Sequence, residues 1–136
     1  MNESWDARPS RVIYRRFEPD EALVAGLDAF ARSEGIRSAV ISSCIGSLSS
    51  LRLRNLCRDD DGEFGFERQT VDEILEIVSA EGYIQPLPEG GIRTHVHIAA
   101  ARPSGELIGG HCEEATICTG AFLYLQVLEE DRGVDG

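Results

Sequence analysis

The sequence predicts an α+β fold in which a largely antiparallel sheet packs against one main helix. Two patterns predict this. One segment repeats apolar residues at helical spacing, and many short segments alternate or cluster β-branched residues between Gly, Pro and Asp turns. The chain has 136 residues, 42% of them hydrophobic, which suffices for one domain with its own core. We place that domain at residues 8–129 and expect flexible termini at 1–7 and 130–136.

The helix is expected between Pro19 and Gly35. Proline is favoured in the first turn of a helix, and glycine suits the left-handed position just past its end. Between them, Leu23, Leu27 and Phe30 recur at intervals of four and three residues. That spacing forms one apolar helical face.

Strands are expected where apolar residues alternate or cluster between turn residues. Gly46 is expected to end one strand before the next begins. The segment 73–80 also fits a single helical turn, so it has two interpretations. Residues 83–87 fit the continuation of a strand, and the predicted strands are residues 10–17, 36–45, 48–56, 64–71, 73–80, 92–101, 106–112 and 120–128.

The charge balance argues against several classes of function. The chain carries 24 acidic and 13 basic residues, for a net charge of −11, and every basic residue is arginine. Such a surface repels phosphate backbones, so nucleic-acid binding is disfavoured unless an arginine patch at residues 8–16 or 52–58 overcomes the total. The absence of lysine excludes a Gly-x-x-x-x-Gly-Lys phosphate loop, and there is no Gly-x-Gly-x-x-Gly dinucleotide loop.

The compartment is expected to be the cytoplasm. No stretch approaches the roughly 20 apolar residues of a membrane span, and the first residues lack the pattern of a secretory signal. The four cysteines, Cys44, Cys57, Cys112 and Cys118, form no Cys-x-x-Cys pair, so we expect no disulfide framework. Cys44 and Cys118 lie in apolar runs and are expected to be buried.

A three-residue turn sets the register of the strands 92–101 and 106–112. Pro103 fits the second position of a type I turn, and Gly105 fits the left-handed position that closes the loop. Arg102 should then pair with Glu106. Counting back along both strands from that pair sets every other pair of the hairpin.

The three histidines of the chain are brought together by this register. His97 should pair with His111, and His95 should lie two residues along the same face. Three neutral imidazoles at this range suit Zn²⁺ and leave a coordination position for water or a small molecule. The alternative is three hydrogen-bonded surface histidines, and a one-residue shift of register would turn His111 to the other face.

The residues around His111 have two interpretations each. Gly109 and Gly110 either allow close approach of a ligand or a neighbouring backbone, or mark a bulge. Cys112 should face away from the histidines. Glu113 and Glu114 either support the metal ligands or add to the acidic surface.

Five motifs follow one another along the chain: Ile45-Gly46, Glu73-Ile74-Leu75, Gly82, His95-x-His97 and Gly109-Gly110-His111. In this order they resemble the PPC domain, named for plants and prokaryotes conserved, in its prokaryotic stand-alone form. The similarity extends over residues 10–128, and Asp72 stands where the family usually has phenylalanine.

The resemblance implies a homotrimer and a zinc ion held by three histidines, here His95, His97 and His111. Plant relatives carry the domain behind AT-hook segments that bind DNA, but this chain contains no Arg-Gly-Arg hook. The apolar segment 121–128 is a candidate subunit contact, with an ordinary core strand as the alternative. No established reaction comes with the family.

We therefore expect a small trimeric domain with a three-histidine zinc site that takes a small-molecule ligand; whether it is an enzyme is open. Glu73 is the acid nominated as a catalytic base or as a support for the metal, with an ordinary strand glutamate as the alternative. The alternative function is a DNA-binding or transcription-associated assembly module without catalysis.

Overall fold

The computed structural model describes residues 3–132, and within them it contains six strands and one helix. The predicted class, a mostly antiparallel sheet with one helix, is confirmed. In chain order the elements are β1 (Ala7–Phe17), α1 (Leu23–Ser33), β2 (Ala39–Arg58), β3 (Phe64–Val71), β4 (Leu75–Pro86), β5 (Ile92–Ala101) and β6 (Leu107–Glu130).

The sheet closes on itself. Its order is β1-β6-β5-β4-β2-β3, and β2 also pairs with β6, so β2, β4, β5 and β6 form a ring of antiparallel strands. β1 continues the sheet beside β6, and β3 continues it beside β2. Closure gives each of the four ring strands a neighbour on both sides for part of its length, which reduces the free edges of the sheet.

The strands are longer than predicted, because two predicted breaks do not occur. β2 runs through Gly46, and β6 joins two segments that the sequence pattern separates, while residues 83–86 continue β4. Gly46 has a φ of 151°, and a Cβ there would overlap the backbone at Gly120 and Ala121. The glycine therefore lets β2 and β6 approach, and bulges in that pairing absorb the irregularity.

The helix matches its predicted apolar face but begins later than expected. Leu23, Leu27 and Ala31 are buried, and Gly35 has the expected left-handed φ of 68° just past the end. The start at Pro19 is wrong because the next residue, Asp20, has a φ of 70° and donates its backbone N–H to Ile117 O at 2.8 Å. This segment therefore joins β6 instead of opening the helix.

The core fills the inside of the ring and the underside of α1. It is built from aliphatic side chains of every strand, with Phe17 as its one fully buried aromatic residue among the residues described. All four cysteines are free. Cys44 is buried as predicted, whereas Cys118 is only half-buried.

The ends of the described chain are paired with each other. The backbone N–H of Asp131 donates to Asp6 O at 2.9 Å, and Arg8 forms an ion pair with Asp131 at 2.9 Å. Residues 1–2 and 133–136, part of the predicted flexible termini, lie outside the described residues. Within residues 3–132, no helix is long and apolar enough to cross a membrane.

Candidate metal centre

The hairpin between β5 and β6 has the predicted turn and register. Arg102 N–H donates to Glu106 O at 2.9 Å, and Gly105 N–H donates to Arg102 O at 2.8 Å, with a φ of 90° at Gly105. His97 pairs with His111. The register shift that would have turned His111 to the other face does not occur.

Three imidazole nitrogens converge on the outer face of this hairpin. His95 Nε2 lies 3.2 Å from His97 Nε2 and 3.1 Å from His111 Nδ1. One nitrogen from each ring lies within 4.8 Å of the others. Ligands held at about 2.0–2.1 Å in a tetrahedral zinc site are about 3.3 Å apart, so the spacing fits a single ion.

The surroundings favour neutral rings. Burial lowers the pKa of both His95 and His111, and the neighbouring histidines and Arg54 lower it further. Arg93 adds to this effect at His95. The ordinary pKa of histidine is about 6.5, so lowered values leave both rings neutral at pH 7 with lone pairs available to a metal.

The Tyr83 hydroxyl contacts the His95 ring on the side opposite the nitrogen that faces the other two histidines. Tyr83 pairs with His95 across β4 and β5, and its hydroxyl lies 3.2 Å from His95 Nδ1. When the hydroxyl oxygen accepts the Nδ1 proton, Nε2 keeps its lone pair toward the other two histidines. Sequence reasoning missed Tyr83, because only the pairing of β4 with β5 brings it opposite His95.

Asn55 fixes the strand that carries His111. Its side-chain oxygen accepts the backbone N–H of His111 at 3.1 Å, and its amide donates to Gly109 O at 3.2 Å. The Asn55 side chain thus takes the place of backbone hydrogen bonds between β2 and β6. Sequence reasoning also missed this residue; the available signal was an asparagine inside a strand, where asparagine is depleted.

The two glycines before His111 allow close approach of neighbouring chain. A Cβ at Gly109 would overlap the carbonyl of Ile98, and one at Gly110 would overlap the Asn55 side chain. Gly110 also has a φ of 140°. Of the two interpretations, close approach of a neighbouring segment is the one the structure supports.

The other residues that the sequence nominated make their contacts elsewhere. Glu73 pairs with Arg102 at 3.2 Å beside the hairpin turn, so its role as a catalytic or supporting acid stays a prediction that this placement does not favour. Glu113 pairs with Arg68 at 2.8 Å. Glu114 accepts the backbone N–H groups of Val24 and Ala25 and so caps α1. Cys112 is buried on the core side, as expected, and burial raises its pKa to about 12.

A shallow hollow of about 350 Å³ adjoins the histidines. Glu81 pairs with His97 across β4 and β5, so its carboxylate is on the same face as the cluster. Sequence reasoning did not single out this acid. The lining consists of Glu81, Gly82, Tyr83, His95 and His97.

Comparison with known families agrees with this fold and motif order. The sequence model of the Plants and Prokaryotes Conserved (PCC) domain, the family introduced above as PPC, matches residues 6–129. The chain belongs to this family.

Solved structures share the fold of this PCC domain at low sequence identity. A metal-containing protein from Archaeoglobus fulgidus superposes with a TM-score of 0.82 at 21% identity, covering 94% of this chain and 86% of that one. A plant- and prokaryote-conserved protein from Pyrococcus horikoshii gives 0.79 at 22% identity, covering 95% and 85%. A Bacteroides thetaiotaomicron protein for which DNA binding has been suggested gives 0.77 at 22% identity, covering 91% and 82%.

A curated relative contains a similar stretch within a much longer chain. The bifunctional protein GlmU of Synechococcus sp. (strain JA-3-3Ab) is 32% identical over 101 residues, which are 74% of this chain. The matched stretch spans only 14% of that protein.

Proposed function

We propose that residues 8–129 form a metal-binding PCC domain in which His95, His97 and His111 hold one divalent ion, with zinc as the first choice. The convergence of three ring nitrogens, 3.1 and 3.2 Å apart along two contacts, is the observation that supports this most. The Archaeoglobus fulgidus protein of the same fold is metal-containing, which agrees with the proposal.

The chemistry of the donor set favours zinc. Neutral imidazoles suit borderline divalent metals, and three protein ligands leave a position for water or a small molecule. A zinc ion so held would make a bound water more acidic near neutral pH. The protein's own contribution is to keep the three rings neutral, oriented and close, through Tyr83, Asn55 and the hairpin register.

Metal content of the protein purified without a histidine tag tests the proposal. We expect about one zinc or similar ion per chain by elemental analysis, and none in His97→Ala or His111→Ala. Glu113→Gln is the matched control, because Glu113 follows His111 closely but pairs with Arg68. Absence of bound metal in the wild type, even after zinc addition at neutral pH, contradicts the proposal.

We also propose that the domain assembles as a homotrimer through the outer face of β1, β6 and β2. Five large apolar side chains are exposed there, and Tyr14 pairs directly with Tyr124 at a ring distance of 5.2 Å. Contiguous apolar surface of this kind is typical of interaction sites. The exposed side chains are Val12, Tyr14, Ile45, Phe122 and Tyr124.

The mass of the particle in solution tests the assembly. Light scattering should give three times the chain mass of 14.9 kDa for the wild type. Phe122→Ser should shift the mass toward one chain. Phe64→Ser removes an equally aromatic, exposed side chain from the β2–β3 hairpin and should leave the trimer intact. A monomeric wild type rules the trimer out.

The alternative is a DNA-binding or transcription-associated assembly module without catalysis; DNA binding has been suggested for the Bacteroides thetaiotaomicron neighbour. The arginine patch at residues 8–16 is largely neutralised, because Arg8 pairs with Asp131 and Arg15 with Glu21. In the patch at 52–58, Arg52 and Arg54 form no ion pair among residues 3–132. DNA binding is therefore disfavoured by the pairing in the first patch and by the net charge of −11, which together favour the metal proposal. Salt-sensitive retention on a duplex DNA column would reverse the preference, and we expect no retention.

A further inference from the structure

Arginines without a counter-ion lie beside the histidines. Seven of the arginines form ion pairs within the described chain, and Arg37 and Arg58 donate to backbone carbonyls. Arg54 and Arg93, like Arg11 and Arg52, have neither kind of partner among residues 3–132. In a chain with 24 acidic residues, two unpaired cations next to one cluster are a distinctive arrangement.

The strand register places both cations on the face of the histidines. Leu53 pairs with Cys112, and both side chains are buried, so the adjacent Arg54 and His111 turn to the outer face. Arg93 precedes His95 by two residues on β5 and shares its face. The three histidines therefore lie between Arg54 on one side and Arg93 on the other.

Arg54 is held in place without being neutralised. Its guanidinium carbon lies 4.6 Å from the centre of the Phe66 ring, and its Nε is buried with no hydrogen-bond partner. The next residue, Asn55, fixes β2 to β6 beside His111. The Arg54 charge contributes to the lowered pKa of both His95 and His111, which agrees with a position near the cluster.

We propose that this surface binds a small organic carboxylate beside the three histidines, with Arg54 and Arg93 as the cationic groups that recognise it. The inference rests on the proposed metal function, because the two arginines add their positive charge to that of the proposed ion. A planar guanidinium fork matches a carboxylate, forming two parallel charge-assisted hydrogen bonds. The hollow of about 350 Å³ beside the histidines, lined by Glu81, Gly82, Tyr83, His95 and His97 and adjoining the two arginines, accepts an organic body of modest size.

Benzoate is the probe, followed through the ring signals of the three histidines by NMR in zinc-loaded and zinc-free protein. We expect saturable shifts in the wild type. Arg54→Gln and Arg93→Gln should each weaken binding about tenfold or more, because each removes a charge-assisted contact. Arg58→Gln is the matched control: Arg58 lies 4.2 Å from the Phe64 ring, much as Arg54 lies over Phe66, but it donates to Gly62 O.

The outcomes separate this inference from the metal proposal. Suppose that the zinc content is normal. If benzoate then does not bind, or binds equally to the Arg54→Gln and Arg58→Gln variants, the carboxylate site is overturned and the metal proposal stands. Inorganic phosphate binding as tightly as benzoate overturns the choice of a carboxylate. A wild type that binds no zinc overturns the metal proposal, whereas benzoate shifts that still depend on Arg54 in that protein support the carboxylate site.

Discussion

The two ends of β6 present different chemistry on the outside of the same ring of strands. Near its start, His111 lies among other histidines, charged side chains and a tyrosine hydroxyl. Near its end, Phe122 and Tyr124 are exposed beside Val12 and Tyr14 of β1. One strand thus carries a polar cluster suited to a ligand and an apolar face suited to another subunit.

The difference follows from what each end pairs with. The start pairs with β5 across a three-residue turn, so the geometry is set locally and small shifts are prevented by hydrogen bonds. The end pairs with β1 and β2, which are distant in sequence, through a pairing that contains bulges. We call the part around His111 the polar end and the part around Phe122 and Tyr124 the apolar end. The polar end therefore depends on the positions of a few atoms, whereas the apolar end depends on its area of exposed apolar surface.

Gly109→Ala should break the polar end and have the largest effect. The added Cβ overlaps the carbonyl of Ile98, so β5 and β6 must separate. We expect a loss of about 2–3 kcal/mol in the free energy of unfolding, measured by urea denaturation, since overpacking a rigid site costs this much. Bound metal should fall with it, because His97 and His111 no longer face each other.

Gly65→Ala is the control for that variant. Gly65 lies in β3, and a Cβ there has no neighbour within 4 Å. Its stability should stay within about 0.5 kcal/mol of the wild type. Equal stabilities for the two alanine variants would show that the close approach at Gly109 is not a constraint.

The same contrast explains what sequence reasoning could predict. The hairpin register needed only Pro103, Gly105 and the counting of residues, and the apolar face of α1 needed only its spacing. Gly46 was misjudged because its role depends on β6, whose contact with β2 is long-range. Tyr83, Asn55 and the cap from Glu114 are likewise set by pairings between distant segments, which local patterns do not encode.

Tyr83→Phe should weaken the polar end without unfolding it. The variant keeps the ring and removes the hydroxyl that lies 3.2 Å from His95 Nδ1. Loss of a group that orients a metal-binding histidine lowers affinity by about 10–100-fold. Competition with a zinc chelator measures the change, and imidazole nitrogen shifts in the metal-free protein report which His95 nitrogen carries the proton.

Tyr14→Phe is the matched control: it removes a tyrosine hydroxyl from the apolar end and should leave zinc affinity unchanged. If both phenylalanine variants bind zinc as the wild type does, Tyr83 has no part in orienting His95. If the wild type binds no zinc, the nitrogen shifts still decide whether the hydroxyl fixes the proton.

Glu114→Ala tests the junction between the two ends, where β6 holds the start of α1. The carboxylate accepts the N–H groups of Val24 and Ala25 at 2.7 and 3.0 Å, and Ala22 makes no side-chain cap. Loss of a helix cap costs about 1 kcal/mol, which thermal or urea unfolding resolves. Glu113→Ala removes an ion pair with the exposed Arg68 and no helix cap, and should cost less than about 0.5 kcal/mol. Equal costs for the two variants would argue against capping.

The smallest expected effect is the contribution of Asp28 to the pH dependence of stability. Burial alone would raise its pKa, but hydrogen bonds from Arg32 and Thr94 outweigh this and hold the pKa below its usual value of 3.8. Because the folded-state pKa is lowered, the associated stability is fully present above pH 3.8 and is lost as the pH falls through the folded-state value. The bond to Thr94, 2.8 Å long, joins α1 to β5 beside His95, so this stability belongs to the polar end.

Melting temperatures of the wild type and Asp28→Asn between pH 6 and pH 2.5 measure that contribution. We expect the wild type to be the more stable protein at pH 6 and the gap to close as the solution becomes acidic. The ion-pair variant Arg8→Gln, which removes the partner of Asp131, should show an acid dependence of the same sign but smaller, because both side chains are exposed and solvent screens the pair. A gap between wild type and Asp28→Asn that stays constant with pH would show that the Asp28 charge does not stabilise the fold.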